Sequence, residues 1–270
     1  MKIALTIAGS DSGGGAGIQA DLKTFHQFGV FGTSVIVAVT AQNTLGVRAV
    51  EPVSPATVAA QLAAVAEDLP PAAVKTGMLA EAALVRLVAN TIRANAWRPL
   101  VVDPVMVATS GHHLLTSEGE VAIRDTLLPL AAVVTPNLNE AAILTGHPVA
   151  DVAARERAGA ALVALGAAAA LVKGGHLGGD QLTDVLVTRA GVRRFTHPRI
   201  ATRATHGTGC TLSAAITAGL ALGRPLETSV TDALDFVHRA IAAAPRLGGG
   251  AGPLNHTVPA PAPHRPTGEQ

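Results

Sequence analysis

The chain has 270 residues, with 20 basic and 19 acidic side chains and a net charge of +1. An apolar fraction of 49% excludes a disordered chain. One Cys excludes a disulfide scaffold and any Cys-rich zinc or iron–sulfur site, while balanced charge, one Trp and five Phe give no electrostatic or stacking case for a nucleic-acid partner.

The N-terminal apolar run is too short for a signal peptide, and it meets Asp11 where a cleavage region would lie. The longest uncharged apolar stretch, residues 158–172, falls short of a membrane span and is interrupted by Gly159 and Gly166. The expected compartment is the cytoplasm.

The sequence predicts a strand over 3–8, a Gly-rich loop, then a helix over 18–28. A β-branched strand follows at 33–40. Ser54-Pro55 reads as N-cap and first-turn proline of an Ala-rich helix reaching 67. A short strand at 73–76 and a helix at 81–94 come next. A strand at 100–102 then ends in Asp103-Pro104. Thr116 or Ser117 caps a helix reaching 128, and a strand at 132–135 ends in Pro136-Asn137. Helices follow at 139–145 and 152–165, the second capped by Asp151, with Gly166 closing it. A buried strand at 168–172 ends in Lys173-Gly174-Gly175, a hairpin pairs 184–188 with 192–196, and helices at 208–221 and 227–244 complete the pattern. Strands alternating with helices imply a mostly parallel sheet covered on both faces, in one domain over 1–256. The Pro/Ala-rich residues 257–270 read as a flexible tail.

In such sheets chemistry gathers at the carboxyl ends of the strands. Gly15-Ala16-Gly17-Ile18-Gln19-Ala20 matches G-x-G-x-x-A, a dinucleotide fingerprint, yet the second strand ends in Thr40-Ala41-Gln42 where an acid for the ribose should stand. No Gly-Lys-Ser/Thr of a Walker A loop occurs. A structural tight turn is the plainer reading. A second Gly-rich turn, Thr205-His206-Gly207-Thr208-Gly209-Cys210, opens a helix whose free N–H groups can stabilise a phosphoryl group in transit. Cys210 in that first turn is expected to have a lowered thiol pKa and to accept a proton. It also reads as a buried small hydrophobe, or as a nucleophile with His206 as base. Asn137 and Glu140 suit Mg²⁺ shared with phosphates, or equally an ordinary helix capping box. Lys173 can neutralise phosphate, or be a solvated strand end. Asp103 can stand behind a metal, or form a turn. His112-His113 read as loop residues.

The blocks Ala8-Gly9-Ser10-Asp11-Ser12-Gly13-Gly14-Gly15-Ala16-Gly17-Ile18-Gln19-Ala20-Asp21-Leu22-Lys23, Thr40-Ala41-Gln42-Asn43-Thr44, Lys75-Thr76-Gly77-Met78-Leu79, Asp103-Pro104-Val105-Met106, Thr135-Pro136-Asn137-Leu138-Asn139-Glu140-Ala141, Lys173-Gly174-Gly175-His176 and the 205–210 turn stand in this order. Together they resemble the hydroxymethylpyrimidine/phosphomethylpyrimidine kinases of thiamine biosynthesis, in the ribokinase superfamily, from residue 3 to 255. The resemblance implies an α/β, ribokinase-like three-layer sandwich. It implies an enzyme that uses ATP and Mg²⁺ to phosphorylate 4-amino-5-hydroxymethyl-2-methylpyrimidine and then the monophosphate. Homodimers are common in the family. Carried over by position, Gln42 meets the pyrimidine edge, with Asp21, Met78, Ala16, Val105 and Met106 around it. Gly207, Thr208 and Gly209 form the anion hole, and Cys210 is the base. Lys173, Thr208 and Asn137 meet ATP, and Glu140 and Asp103 the metal.

Three positions depart from the family: Thr109 stands where Lys is usual, Ala204 where Asn precedes the turn, and Ala251 where a G-H-G-P-x-N motif has His. These bear on the rate and on the second phosphorylation, and Ala204 is expected to loosen the turn. A pyridoxal kinase of the same superfamily is the second reading, and a non-catalytic pyrimidine-binding protein the third.

Overall fold

The computed structural model describes residues 1–107, 114–175 and 179–261. Thr109, His112, His113 and His176 lie outside the described residues. Nine strands form one sheet: β1 (Ile3–Asp11), β2 (Phe31–Asn43), β3 (Gly46–Pro52), β4 (Ala73–Thr76), β5 (Leu100–Val102), β6 (Val133–Val134), β7 (Ala169–Val172), β8 (Gln181–Thr188) and β9 (Gly191–Pro198). Their spatial order is β3-β2-β1-β4-β5-β6-β7-β8-β9. The run from β2 to β7 is parallel, and β3, β8 and β9 are antiparallel additions at the two edges.

The helices are α1 (Gly17–Gln27), α2 (Pro55–Asp68), α3 (Ala82–Ala94), α4 (Ser117–Ala122), α5 (Leu138–Thr145), α6 (Val152–Ala164), α7 (Thr208–Ala221) and α8 (Leu226–Ala242). Alternation along the strands sorts them into two layers. Leu5, Ile7, Val74, Leu100, Val102, Val134 and Val172 face one core with residues of α2, α3, α5 and α6. Ala4, Ala73, Val101, Val133 and Leu171 face the other, against Phe25 of α1, Leu212 and Ile216 of α7, and Phe236 of α8. Both strand faces are buried, which is why these strands read as unbroken apolar runs. The ribokinase-like three-layer architecture expected from the sequence is therefore present. No helix among the described residues is long and apolar enough to cross a membrane.

Several elements differ from expectation. β1 runs on to Asp11 and β2 to Asn43, so the first glycine block begins at a strand end. β3 was not anticipated: Gly46-Val47-Arg48-Ala49-Val50-Glu51-Pro52 is short, charged and proline-terminated, features that suit an edge strand exposed to water. The helix expected to reach 128 instead stops at Ala122 and continues as a π turn and a 3-10 turn, Leu128–Leu130, that contains Pro129.

After α8 the chain returns across the front of α7. His206 bridges Pro253, the Asn255 N–H donates to the Ala240 carbonyl at 3.0 Å, and the His256 imidazole meets the Thr211 hydroxyl at 2.9 Å. Val258 and Ala260 also pack on the core, so the start of the expected flexible tail is held. Residues 262–270 lie outside the described residues.

His256 is buried, and burial, with Lys23 nearby, pushes its imidazole down to about 4. The unfolded chain binds this proton near the ordinary 6.5 while the folded chain refuses it. Stability from this group is therefore intact above the ordinary value and is lost as pH falls toward the folded one. Denaturant unfolding at pH near 7.5 and near 5 should show His256→Gln losing about 2 kcal/mol less on acidification than the parent. Equal losses would show that His256 does not fold neutral.

Candidate active site

Parallel strands point their carboxyl ends to one edge of the sheet. The chain leaves β1 toward β2 on one side and resumes at β4 on the other, and a crevice opens at such a switch. A cleft of about 690 Å³ lies there.

Two glycine turns meet at its floor, and they are not equivalent. At the first, Asp11 turns its carboxylate inward and accepts from the N–H groups of Gly13 (2.8 Å), Gly15 (3.0 Å) and Ala16 (2.8 Å). Its Oδ2 also meets His206 Nε2 at 2.8 Å. Burial would raise this carboxyl, but His206 and the backbone donors hold it below the usual carboxylate range. The amides that a dinucleotide pyrophosphate would need are thus filled by the protein's own anion, which removes the dinucleotide reading. The same bond points His206 at Asp11, so it does not serve Cys210 as a base.

The second turn is open. Gly207 caps α7 in the left-handed region at φ +82°, and a Cβ there would overlap the Gly15 carbonyl oxygen. Thr208 N–H and Oγ1 both bond the Thr205 carbonyl, and the Thr211 N–H takes Gly207. Among the described residues, the N–H groups of Gly209 and Cys210 have no acceptor. They face the cleft at the positive end of a helix of 14 residues. Beside it, the Ala204 N–H reaches Thr202 Oγ1, and the His206 N–H donates to the Gly252 carbonyl at 3.1 Å. Ala251 tethers its own loop through its N–H to the Thr44 carbonyl.

Lys173, from the end of β7, stands over this turn, close to where a Cβ on Gly209 would sit. Its Nζ is 3.2 Å from Asp103 Oδ1 and 4.0 Å from Glu140 Oε2. Burial alone would pull this ammonium down, but Asp103 and Glu140 hold it above its ordinary value. Asp103 also accepts from Thr135 and Ser213 hydroxyls, and although burial raises its carboxyl, Lys173 and Lys75 bring it below the usual range. Glu140 completes a capping box with Asn137: the Asn137 N–H donates to Oε2 at 2.8 Å and the Glu140 N–H to Asn137 Oδ1 at 2.9 Å. Burial, with Asp103 adding to it, pushes Glu140 up to about 7 against the pull of Lys173.

The cleft takes in Gln42, Ala16, Met78, Val105, Asp103, Asn137, Glu140, Lys173 and the 207–210 turn, as the sequence suggested. Two assigned residues are not there. Asp21 is fully buried beneath the cleft with Lys75 Nζ at 2.7 Å from each carboxylate oxygen. Met106 belongs to the apolar core, because the strand-end turn points it inward. The thiol of Cys210 is also not lowered. Burial pushes it up to about 11, outweighing both Lys75 and a hydrogen bond from the Gly17 backbone. A helix terminus is a fractional charge and does not offset that loss of water.

Sequence reasoning left several residues without a role. Lys75 carries no local signal beyond its place in the 75–79 block. Asp11 and Ser213 are acceptor and donor whose partners are distant in the chain. His197 and Pro198, at the end of β9, and Val237 and His238, on α8, also line the cleft, and no motif marks them.

An open helix-terminal anion site, a lysine over it and a two-armed cleft at the strand ends define a small-molecule kinase of the ribokinase-like class. The chain belongs to the phosphomethylpyrimidine kinase family, whose sequence profile matches residues 11–255. A Rhizobium meliloti hydroxymethylpyrimidine/phosphomethylpyrimidine kinase is 55% identical over 257 residues, 94% of this chain and 96% of its own. The solved phosphomethylpyrimidine kinase of Clostridium difficile is 42% identical with a TM-score of 0.80, over 89% of this chain and all of that one. An ADP complex of Bacillus subtilis pyridoxal kinase is 39% identical with a TM-score of 0.89, over 95% and 97% of the two chains. The chain is thus a phosphotransferase.

Gly207→Ala should displace the two turns from one another. Its melting temperature should fall and its ATP turnover drop by about 100-fold or more. Parent-like kinetics would show that contact between the turns is dispensable.

Proposed function

We propose that this chain transfers the γ-phosphoryl group of ATP to the hydroxymethyl group of 4-amino-5-hydroxymethyl-2-methylpyrimidine, and then to the monophosphate so formed, in thiamine biosynthesis. The observation that carries the reading is the open pair of amides at Gly209 and Cys210, beside Lys173, at the junction of two cleft arms. The arm toward β1, β2 and β4 takes the pyrimidine. There Ser12 accepts from the Gln42 N–H at 2.8 Å and fixes the backbone of Gln42, whose amide edge meets the ring. Met78 and Ala16 supply apolar contact. The arm toward β8, β9 and α8 takes the nucleotide.

Phosphoryl transfer asks mainly for alignment and charge stabilisation. The open amides of Gly209 and Cys210 receive charge on the transferred group, and Lys173 neutralises the adjoining phosphates. The alcohol oxygen attacks the γ-phosphorus, its proton passes to the thiolate form of Cys210, which becomes the thiol, and ADP leaves. A small thiolate population suffices because little proton transfer precedes bond making in a loose transition state. In the second round the attacking oxygen belongs to a phosphate already largely ionised near neutral pH, so that step needs no base.

The donor set fits Mg²⁺ in one manner. Both oxygens of Asp103 are engaged, Glu140 accepts from backbone, and no group of three metal-ligating side chains occurs among the described residues. Glu140 and Asp103 would therefore hold a hydrated ion through its waters rather than chelate it. When bound with ATP, it would neutralise charge on the phosphates. The catalytic unit spans residues 1–256 as one domain, working in the cytoplasm, and homodimerisation follows the pattern of the family.

A pyridoxal kinase is the second reading, favoured by the likeness to the Bacillus subtilis structure. ADP release with each alcohol in parallel separates the two. Turnover should be higher with the pyrimidine alcohol, and a preference for pyridoxal would overturn the substrate assignment. Cys210→Ala should lose roughly 100-fold or more on the alcohol and distinctly less on the monophosphate. Equal losses on both would remove Cys210 as the base.

A further inference from the structure

One buried carboxylate at the cleft has no task in the transfer chemistry. Asp184 lies on β8, the strand paired with the one that carries Lys173 at its end. Its Oδ1 accepts from the Gly174 N–H at 2.7 Å, so the peptide that leaves Lys173 is tied to it. The Lys173 N–H donates to the Pro136 carbonyl at 2.9 Å. The amides on both sides of the Lys173 Cα are therefore fixed. One is held by the loop ahead of Asn137 and the other by a side chain of β8.

Gly174 is also seated on β8 itself. A Cβ there would overlap the Thr183 carbonyl oxygen, which already receives the buried Arg155 guanidinium. The second oxygen of Asp184 is engaged elsewhere: Oδ2 lies 3.3 Å from His197 Nε2 on β9. That contact leaves Oδ1 aimed at the turn. Asp184, His197 and Lys173 all line the cleft. The far end of the lysine is held separately, by Asp103 and Glu140. Lys173 is thus aligned at both ends, its ammonium by two carboxylates and its backbone by a third.

We propose that Asp184 is a positioning residue for the phosphoryl transfer: by gripping the Gly174 N–H it sets the path of the Lys173–Gly174 turn and so places the lysine against the ATP phosphates. This rests on the reading of Lys173 as the phosphate contact.

Steady-state kinetics of the full-length protein, with the pyrimidine alcohol as acceptor, test it. Asp184→Ala should lower kcat/KM for ATP roughly 10- to 100-fold, the loss that a misplacement of about 1 Å produces, and leave KM for the pyrimidine alcohol in place. Asp184→Asn retains an oxygen for the Gly174 N–H and should recover most of that loss. In a Lys173→Ala background, Asp184→Ala should lower kcat/KM for ATP by about twofold or less, because the two residues act as one unit. A merely structural carboxylate would lower it equally in both backgrounds and would weaken both substrates. Additive losses in the double variant, an equal rise in both KM values, or Asp184→Asn as poor as Asp184→Ala would overturn the proposal alone. Unchanged ATP kinetics in Lys173→Ala would overturn the phosphate reading of Lys173 and the proposal with it. Where Asp184→Ala fails to fold, Asp184→Ser takes its place under the same outcomes, since its hydroxyl falls one bond short of the Gly174 N–H.

Discussion

The site depends on where one carboxylate points. Asp11 closes the first glycine turn on itself, filling three amides, and through Oδ2 it also grips His206 of the second. The first turn is thereby made rigid and unavailable to an external anion. The second is drawn against it so closely that Gly15 and Gly207 leave no room for a Cβ. The amides of Gly209 and Cys210 are then the open ones, aimed into the cleft. Two sequence motifs that look alike thus have opposite chemical fates.

Around that opening, charge is handled in pairs. Lys173 sits between Asp103 and Glu140, and Lys75 sits on Asp21, so the cleft of a chain with net charge +1 carries strong local fields with little excess. A site for triphosphate needs no basic surface when a lysine, a helix terminus and a metal share the charge. The balanced composition that argued against a nucleic-acid partner is therefore consistent with a nucleotide held at one local point.

Most of the architecture was readable from the chain, because strands buried on both faces write themselves as apolar runs, and caps such as Ser54, Thr116 and Asp151 mark helix starts. β3 escaped because an edge strand lacks that signal. Of the cleft lining, what lies within one local motif was legible: Gln42, Lys173, and the turn from Gly207 to Cys210. What depends on a partner far along the chain was not. Asp21 looked like a ligand contact because nothing local reveals that Lys75, 54 residues away, claims both its oxygens. Cys210 looked acidified because helix position is visible in sequence, whereas the burial that reverses the shift is not.

In the proposed function, one cleft carries the pyrimidine through two phosphorylations, the second without help from the base. Phosphorus NMR of a reaction with excess ATP reads this directly. Two ADP should form per pyrimidine alcohol, with the monophosphate rising first and then giving way to the diphosphate. Accumulation of the monophosphate without further ADP, or no phosphorylated pyrimidine at all, would contradict it.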